Sequence, residues 1–205
     1  MNIGALKPGL ALLALFLVSL HGTVFAGDPE AGKAKSAVCA ACHGMDGKAL
    51  LPEYPNLAAQ GEKYMIKQLQ EFKSGARENA LMMPMAANLS DEDMADISAY
   101  YASLPAIQGV ASEDNLAAGR DIYRGGITSA GIAACIGCHG PNGQGNPMAG
   151  FPMLSGQNSS YVYTTLQQFR AGTRANDANE VMRGIAHRIT NEEIAAVANY
   201  VQGLK

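Results

Sequence analysis

The sequence contains no tryptophan and few aromatic residues, which make up 6% of its 205 positions. Beyond its first 26 residues no segment is apolar enough to cross a membrane, because a bilayer-spanning helix needs about 20 consecutive apolar residues. No cluster of Lys and Arg forms a basic patch, so the composition gives no support for nucleic-acid binding. The low aromatic content fits a core that is built around a bound cofactor.

Cysteine is also scarce, but its placement is informative. All four cysteines fall in two Cys-x-x-Cys-His motifs, at 39–43 and 135–139, and this pattern is the attachment signature of a c-type haem. Thiols one helical turn apart can add to the two vinyl groups on one porphyrin edge, and the next residue supplies an axial imidazole. We predict two covalently bound haems. Their predicted attachment residues and proximal iron ligands are Cys39, Cys42, His43, Cys135, Cys138 and His139.

Paired cysteines also occur in three other kinds of site. A four-ligand zinc site could combine the two pairs, a thioredoxin-like protein uses one pair for redox chemistry, and an exported protein could form two disulfides. A zinc site does not require histidine at the same place after both pairs, and a redox pair does not require a second copy. The repeated histidine favours haem.

The first 26 residues have the pattern of a secretory signal peptide. Lys7 is basic, 9–20 is an apolar run, and 24–26 offers small or apolar residues before a cleavage site after Ala26. The alternative is a retained membrane anchor, but the apolar run is shorter than the ~20 residues that a span requires. We therefore expect a mature chain that begins at Gly27, is exported to the periplasm, and associates with membranes at most peripherally.

The chain after residue 26 contains an internal duplication. Residues 57–60 (Leu-Ala-Ala-Gln) match 154–157 (Leu-Ser-Gly-Gln), and Gly75 and Arg77 match Gly172 and Arg174, all 97 positions further on. Each half would be a small domain, which is often only marginally stable without help such as a large apolar cofactor. The expected division is a domain at 27–105, a linker at 106–114 and a domain at 115–205.

Both halves are predicted to be all-α, since neither alternates for long with the period of two that is typical of strands. Helices are expected after the cap Asp28, between Gly61 and Gly75, and over 116–124. Capping motifs at Ser90 and Thr190 predict the closing helix of each half. Between these helices lie loops rich in Gly and Pro, including one that carries Met82-Met83-Pro84-Met85.

Each haem iron needs a ligand on its second face, and the loops before the closing helices contain methionines. Aligning Ser90 with Thr190, an offset of 100 positions, places Met82 opposite Met182, whereas Met83 and Met85 have no methionine partner. We therefore predict Met82 and Met182 as the sixth ligands. His187 has no counterpart in the first half and is expected to be a surface residue.

These motifs give each half a resemblance to a class I cytochrome c domain. The features that carry it are Cys-x-x-Cys-His near the start, Pro-x-Leu downstream of it, a methionine-bearing loop and the closing Leu-Ser-Asp-Glu-Asp helix. Two such domains in tandem resemble the cytochrome c4 family over 27–205. The family pattern assigns the same two methionines and implies that the carbonyls of Pro55 and Pro152 orient the proximal histidines, although either proline could simply shape its loop.

The resemblance implies a monomeric electron carrier that receives electrons from a quinol-oxidising complex and delivers them toward a terminal oxidase. A methionine in register in both loops favours a carrier over a dihaem peroxidase, which would also need an acid or base beside its iron. A subunit that accepts electrons from a dedicated dehydrogenase is the other alternative.

Overall fold

The structure is a computed structural model, and it describes residue 1 and residues 27–205. The predicted signal peptide and its cleavage site lie outside the described residues. Within the described part of the chain the fold is helical, without strands, as the sequence predicted. No helix in this part is long and apolar enough to cross a membrane.

Among the described residues, five α-helices form each of two domains, and the second domain also contains two short 3-10 helices, Thr128–Ala130 and Ala178–Glu180. The helices of the first domain are α1 (Pro29–Lys35), α2 (Ala40–His43), α3 (Glu62–Ser74), α4 (Met82–Ala86) and α5 (Asp91–Ser103). The helices of the second domain are α6 (Leu116–Gly125), α7 (Ile136–His139), α8 (Ser159–Ala171), α9 (Val181–Ala186) and α10 (Asn191–Gln202). In each domain the first helix and the third helix both pack against the closing helix.

The predicted helix boundaries are confirmed by the caps. The carboxylate of Asp28 accepts hydrogen bonds from the first turn of α1. Gly75 ends α3 in the left-handed conformation, at φ 80°, where glycine has no steric penalty. Ser90 and Thr190 both form complete capping boxes, with Asp93 and Glu193 as their partners. These caps place the closing helices at an offset of 100 positions.

The methionine loops differ from the prediction. Residues 82–86 and 181–186, which the sequence predicted to be loop, form the short helices α4 and α9. Pro84 lies in the first turn of α4, where its missing N–H group would have no helical partner in any case. Ala86 and Ala186 are fully buried at the ends of these helices. Each segment is short and buries one alanine, so no amphipathic pattern in the sequence could indicate its helix.

Each domain has its own hydrophobic core. Met65, Ile97, Tyr100 and Tyr101 form the core of the first domain. A larger cluster that includes Tyr123, Leu166, Ile194 and Val201 forms that of the second. The predicted linker lies along α10, since the side chains of Asn199 and Gln202 donate hydrogen bonds to its backbone carbonyls.

Candidate haem sites

Both Cys-x-x-Cys-His motifs fold into a single helical turn. Cys39 and Cys135 directly precede α2 and α7, and the second cysteine and the histidine are the last two residues of each helix. All four thiols are free, so the structure does not contain the two disulfides that were an alternative to haem attachment. Among the described residues, no group of three or more His, Cys, Asp or Glu side chains is placed to hold a metal ion. This argues against the shared zinc site.

The two motif histidines are buried and oriented in the same way. Nδ1 of His43 lies 2.9 Å from the carbonyl oxygen of Pro55, and Nδ1 of His139 lies 2.9 Å from that of Pro152. A carbonyl can only accept, so each Nδ1 carries the proton and each Nε2 keeps its lone pair. Free thiols on one turn beside an imidazole with an available Nε2 form the donor set that a covalent haem requires.

The electrostatic surroundings keep these groups neutral. Burial lowers the pKa of His43 and His139, and it outweighs the opposing effect of the proline carbonyls. Burial likewise raises the pKa of the Cys39 thiol and raises that of Cys135 to about 11. A neutral imidazole is the form that can donate an electron pair to iron.

A buried tyrosine supports the residue after each motif histidine, which the sequence did not reveal. The hydroxyl of Tyr123 donates to the carbonyl of Gly140 at 2.6 Å, and that of Tyr101 lies 3.5 Å from the carbonyl of Gly44. Tyr101 belongs to a closing helix and Tyr123 to a first helix. Because the two tyrosines are not equivalent in the duplicated sequence, the repeat could not identify them.

The structure separates the methionines by exposure. Met82, at the start of α4, is partly buried, and Met182 packs against the core of the second domain. Met83, Met85 and Met148 are 37%, 51% and 87% exposed. These placements favour Met82 and Met182, whose ligation stays a prediction. His187 lies at the surface, as expected, and its imidazole contacts Gly184 and Arg188.

The two domains meet through a polar interface. Two of its contacts form a reciprocal pair: Arg77 donates to the hydroxyl of Tyr161 at 3.2 Å, and Arg174 donates to that of Tyr64 at 3.1 Å. Each guanidinium also stacks on a phenylalanine of its own domain. Sequence reasoning noted these residues only as matches within the repeat. Their retention in both halves was the available signal for a shared role.

A family model for cytochrome c matches the chain twice, over residues 29–105 and 117–205. The matches coincide with the two five-helix domains and include both candidate sites. A polypeptide with two such domains is a dihaem c-type cytochrome.

Relatives identify the family more closely. The chain is 48% identical to cytochrome c4 of Pseudomonas aeruginosa, over 94% of this chain and 96% of that protein. The crystal structure of reduced recombinant cytochrome c4 from Pseudomonas stutzeri superposes with a TM-score of 0.85 at 45% identity, covering 88% of this chain and all of the other. The thiosulfate dehydrogenase electron acceptor of Stutzerimonas stutzeri is 38% identical, over 93% of this chain and 92% of that protein.

The chain therefore belongs to the cytochrome c4 family of dihaem class I c-type cytochromes. It carries two covalently bound c-type haems and functions in electron transfer. The prediction of two haems from the cysteine motifs is confirmed, as is the fold of two tandem cytochrome c domains.

Proposed function

We propose that this protein is a periplasmic electron carrier that passes electrons from a quinol-oxidising complex toward a terminal oxidase and catalyses no reaction of its own. The proposed domains are 27–105 and 115–205, joined by the linker 106–114, after removal of the signal peptide 1–26. The observation that carries the proposal is the near identity of the two sites: each buried histidine bonds to a proline carbonyl at 2.9 Å. Equivalent sites suit equivalent roles as electron carriers.

Each residue of a site has one proposed role. The cysteine pairs Cys39/Cys42 and Cys135/Cys138 would hold a haem by thioether bonds, and a bound haem supplies a one-electron iron couple. His43 and His139 would donate Nε2 to the iron, and the proline carbonyls hold the imidazole rings in orientation.

Met82 and Met182 are the proposed ligands on the opposite face. A thioether is a soft, weak donor that favours reduced over oxidised iron, so methionine ligation raises the reduction potential. A high potential suits delivery to an oxidase. With methionine as its second ligand, each iron would have no open position for a substrate, which supports a carrier and not a peroxidase.

Ligand assignment is tested with Met82→Ala and the matched control Met85→Ala. We expect Met82→Ala to halve the weak near-infrared sulfur-to-iron band of the oxidised protein and to let one haem bind cyanide. Met85→Ala should leave the band at full intensity, because Met85 is 51% exposed. The opposite pattern would show that the register drawn between 82 and 182 is wrong. Cyanide or peroxide binding by the unmodified protein would instead favour an enzyme.

A second candidate function is supported by one comparison. The 38% identical relative is named as the electron acceptor of a thiosulfate dehydrogenase, so a dehydrogenase could be the electron donor. The test is stopped-flow reduction by a thiosulfate dehydrogenase with thiosulfate, beside reduction by a quinol-oxidising complex. The faster donor under equal concentrations identifies the upstream partner.

A further inference from the structure

Two buried glutamines that are equivalent in the repeat, Gln60 and Gln157, form contacts between the domains. The amide of Gln157 pairs with the backbone of Asn56: its Oε1 accepts from the N–H at 2.8 Å and its Nε2 donates to the carbonyl at 2.9 Å. Gln60 pairs with the backbone of Met153 in the same way, at 2.8 and 3.1 Å. Because a backbone N–H can only donate, these pairs also define the orientation of each amide.

Each glutamine thereby contacts the peptide group that orients the histidine of the other domain. The N–H of Asn56 and the carbonyl of Pro55 are two ends of one peptide group, and that carbonyl accepts from Nδ1 of His43. A continuous chain of hydrogen bonds runs from Gln157 in the second domain to His43 in the first.

The equivalent chain runs in the other direction. It leads from Gln60 in the first domain, through the peptide group between Pro152 and Met153, to Nδ1 of His139 in the second domain. The two chains have the same bond lengths, 2.8 Å at the glutamine and 2.9 Å at the histidine. The interface therefore contains the same arrangement of hydrogen bonds for both sites.

The glutamines and histidines at the ends of these chains are buried, and Pro55, Pro152 and Met153 between them are partly buried. Gln60, Asn56 and Gln157 are 5%, 6% and 6% exposed, and the two histidines are equally buried. In a medium of low dielectric constant, hydrogen bonds in series strengthen one another by about 10–30% per bond. When Oε1 of Gln157 accepts from the peptide N–H, the Pro55 carbonyl becomes a stronger acceptor for the imidazole proton. The imidazole then becomes a stronger electron donor at Nε2.

We propose that each domain tunes the reduction potential of the haem in the other domain, through Gln157 acting on His43 and Gln60 acting on His139. A more electron-rich imidazole stabilises oxidised iron, so both glutamines lower the potential of the opposite haem. Gln60 and Gln157 are positioning residues, since neither touches an iron ligand directly. The inference rests on the proposed ligation by His43 and His139.

The test measures the potential of each haem separately in Gln157→Met and Gln60→Met, using NMR of the partly oxidised protein. Methionine keeps the length of the side chain and removes both hydrogen-bonding atoms. Gln157→Met should shift the reduction equilibrium of the first haem toward the reduced state by roughly threefold, which is about 28 mV at 59 mV per tenfold for one electron. Gln60→Met should do the same to the second haem only.

A second readout follows the histidine itself. In the reduced protein, the NMR signal of the Nδ1 proton of His43 should move upfield in Gln157→Met, because its hydrogen bond weakens, while that of His139 should stay in place. Gln157→Glu keeps an acceptor oxygen for the Asn56 N–H and should leave the His43 proton downfield. This variant also keeps the inference testable should Gln157→Met not fold.

Asn176→Ala is the control for a looser interface. It removes the bonds from the Asn176 amide to the side chains of Gln68 and Glu71 across the interface, 2.9 and 2.6 Å long, and leaves both glutamine pairs in place. Its two potentials should stay within the error of the unmodified protein.

The inference requires that each glutamine substitution shift the potential of the haem in the other domain only. Shifts in the haem of the mutated domain, equal shifts in both haems, or no shift would overturn it. So would an Asn176→Ala variant that reproduces the effect of Gln157→Met. Failure of the proposed ligation is a separate result, since it would appear in the spectrum of the unmodified protein.

Discussion

The close approach of the first helix and the closing helix in the second domain depends on Gly119. A Cβ added at Gly119 in α6 would overlap the carbonyl oxygen of Ala196 in α10 and lie 2.8 Å from the Cβ of Tyr200. The overlapped atom is backbone, so no side chain can rotate away and the helices themselves must separate. Gly119→Ala should therefore destabilise the second domain.

Two opposing effects determine how much stability Gly119→Ala removes. Overpacking a core typically costs about 1–3 kcal/mol, and we take the upper end because the obstacle is a helix backbone. Alanine returns about 1 kcal/mol through its helix propensity. The expected net loss is about 2 kcal/mol, which corresponds to a fall in Tm of about 8–16 °C for a domain of this size.

Gly125→Ala is the matched control, because Gly125 ends the same helix and an added Cβ there meets nothing within 4 Å. Guanidinium unfolding, followed by circular dichroism and haem absorbance, measures both variants. Gly125→Ala should be at least as stable as the unmodified protein. Equal stability of the two variants would refute the helix contact described here.

Three further outcomes are expected. Intact mass spectrometry under denaturing conditions should show a chain that begins at Gly27 with two added haems, and a mass without haem would contradict the attachment sites. Lys35 bonds to Asp93 and Asp96 and lowers the pKa of Asp93 to about 2. The stabilising effect of this contact should be present above pH 4 and lost toward pH 2. Lys35→Met should lower the free energy of unfolding at pH 7 and weaken its fall between pH 4 and pH 2. Tyr123→Phe, which deletes the hydroxyl that bonds to Gly140, should reduce the unfolding free energy by about 1–3 kcal/mol, whereas an unchanged value would show that this bond has no role in stability.

The sequence was most informative where the chemistry is local. Cysteine spacing specifies haem attachment within one helical turn, so the two haems could be predicted before any fold was known. The caps at Asp28, Ser90 and Thr190 define helix starts by bonds to residues within three positions. The offset of 100 between the closing helices, and with it the pairing of Met82 with Met182, follows from such local signals.

Tertiary structure alone decided the features whose partners are distant. Helices α4 and α9 are five and six residues long and each buries a single alanine, Ala86 or Ala186, so no hydrophobic pattern in the sequence could indicate them. The tyrosines behind the motif histidines come from non-equivalent helices, so the repeat concealed them.

The interface shows most clearly what the sequence determined and what depended on the tertiary structure. The duplicated sequence by itself determined that glutamine stands at both 60 and 157. Only packing of the two domains places Gln157 against Asn56, 101 residues away in the chain. A hydrogen bond across that separation has no period or spacing that a sequence could display, because it depends on how two separately formed surfaces meet.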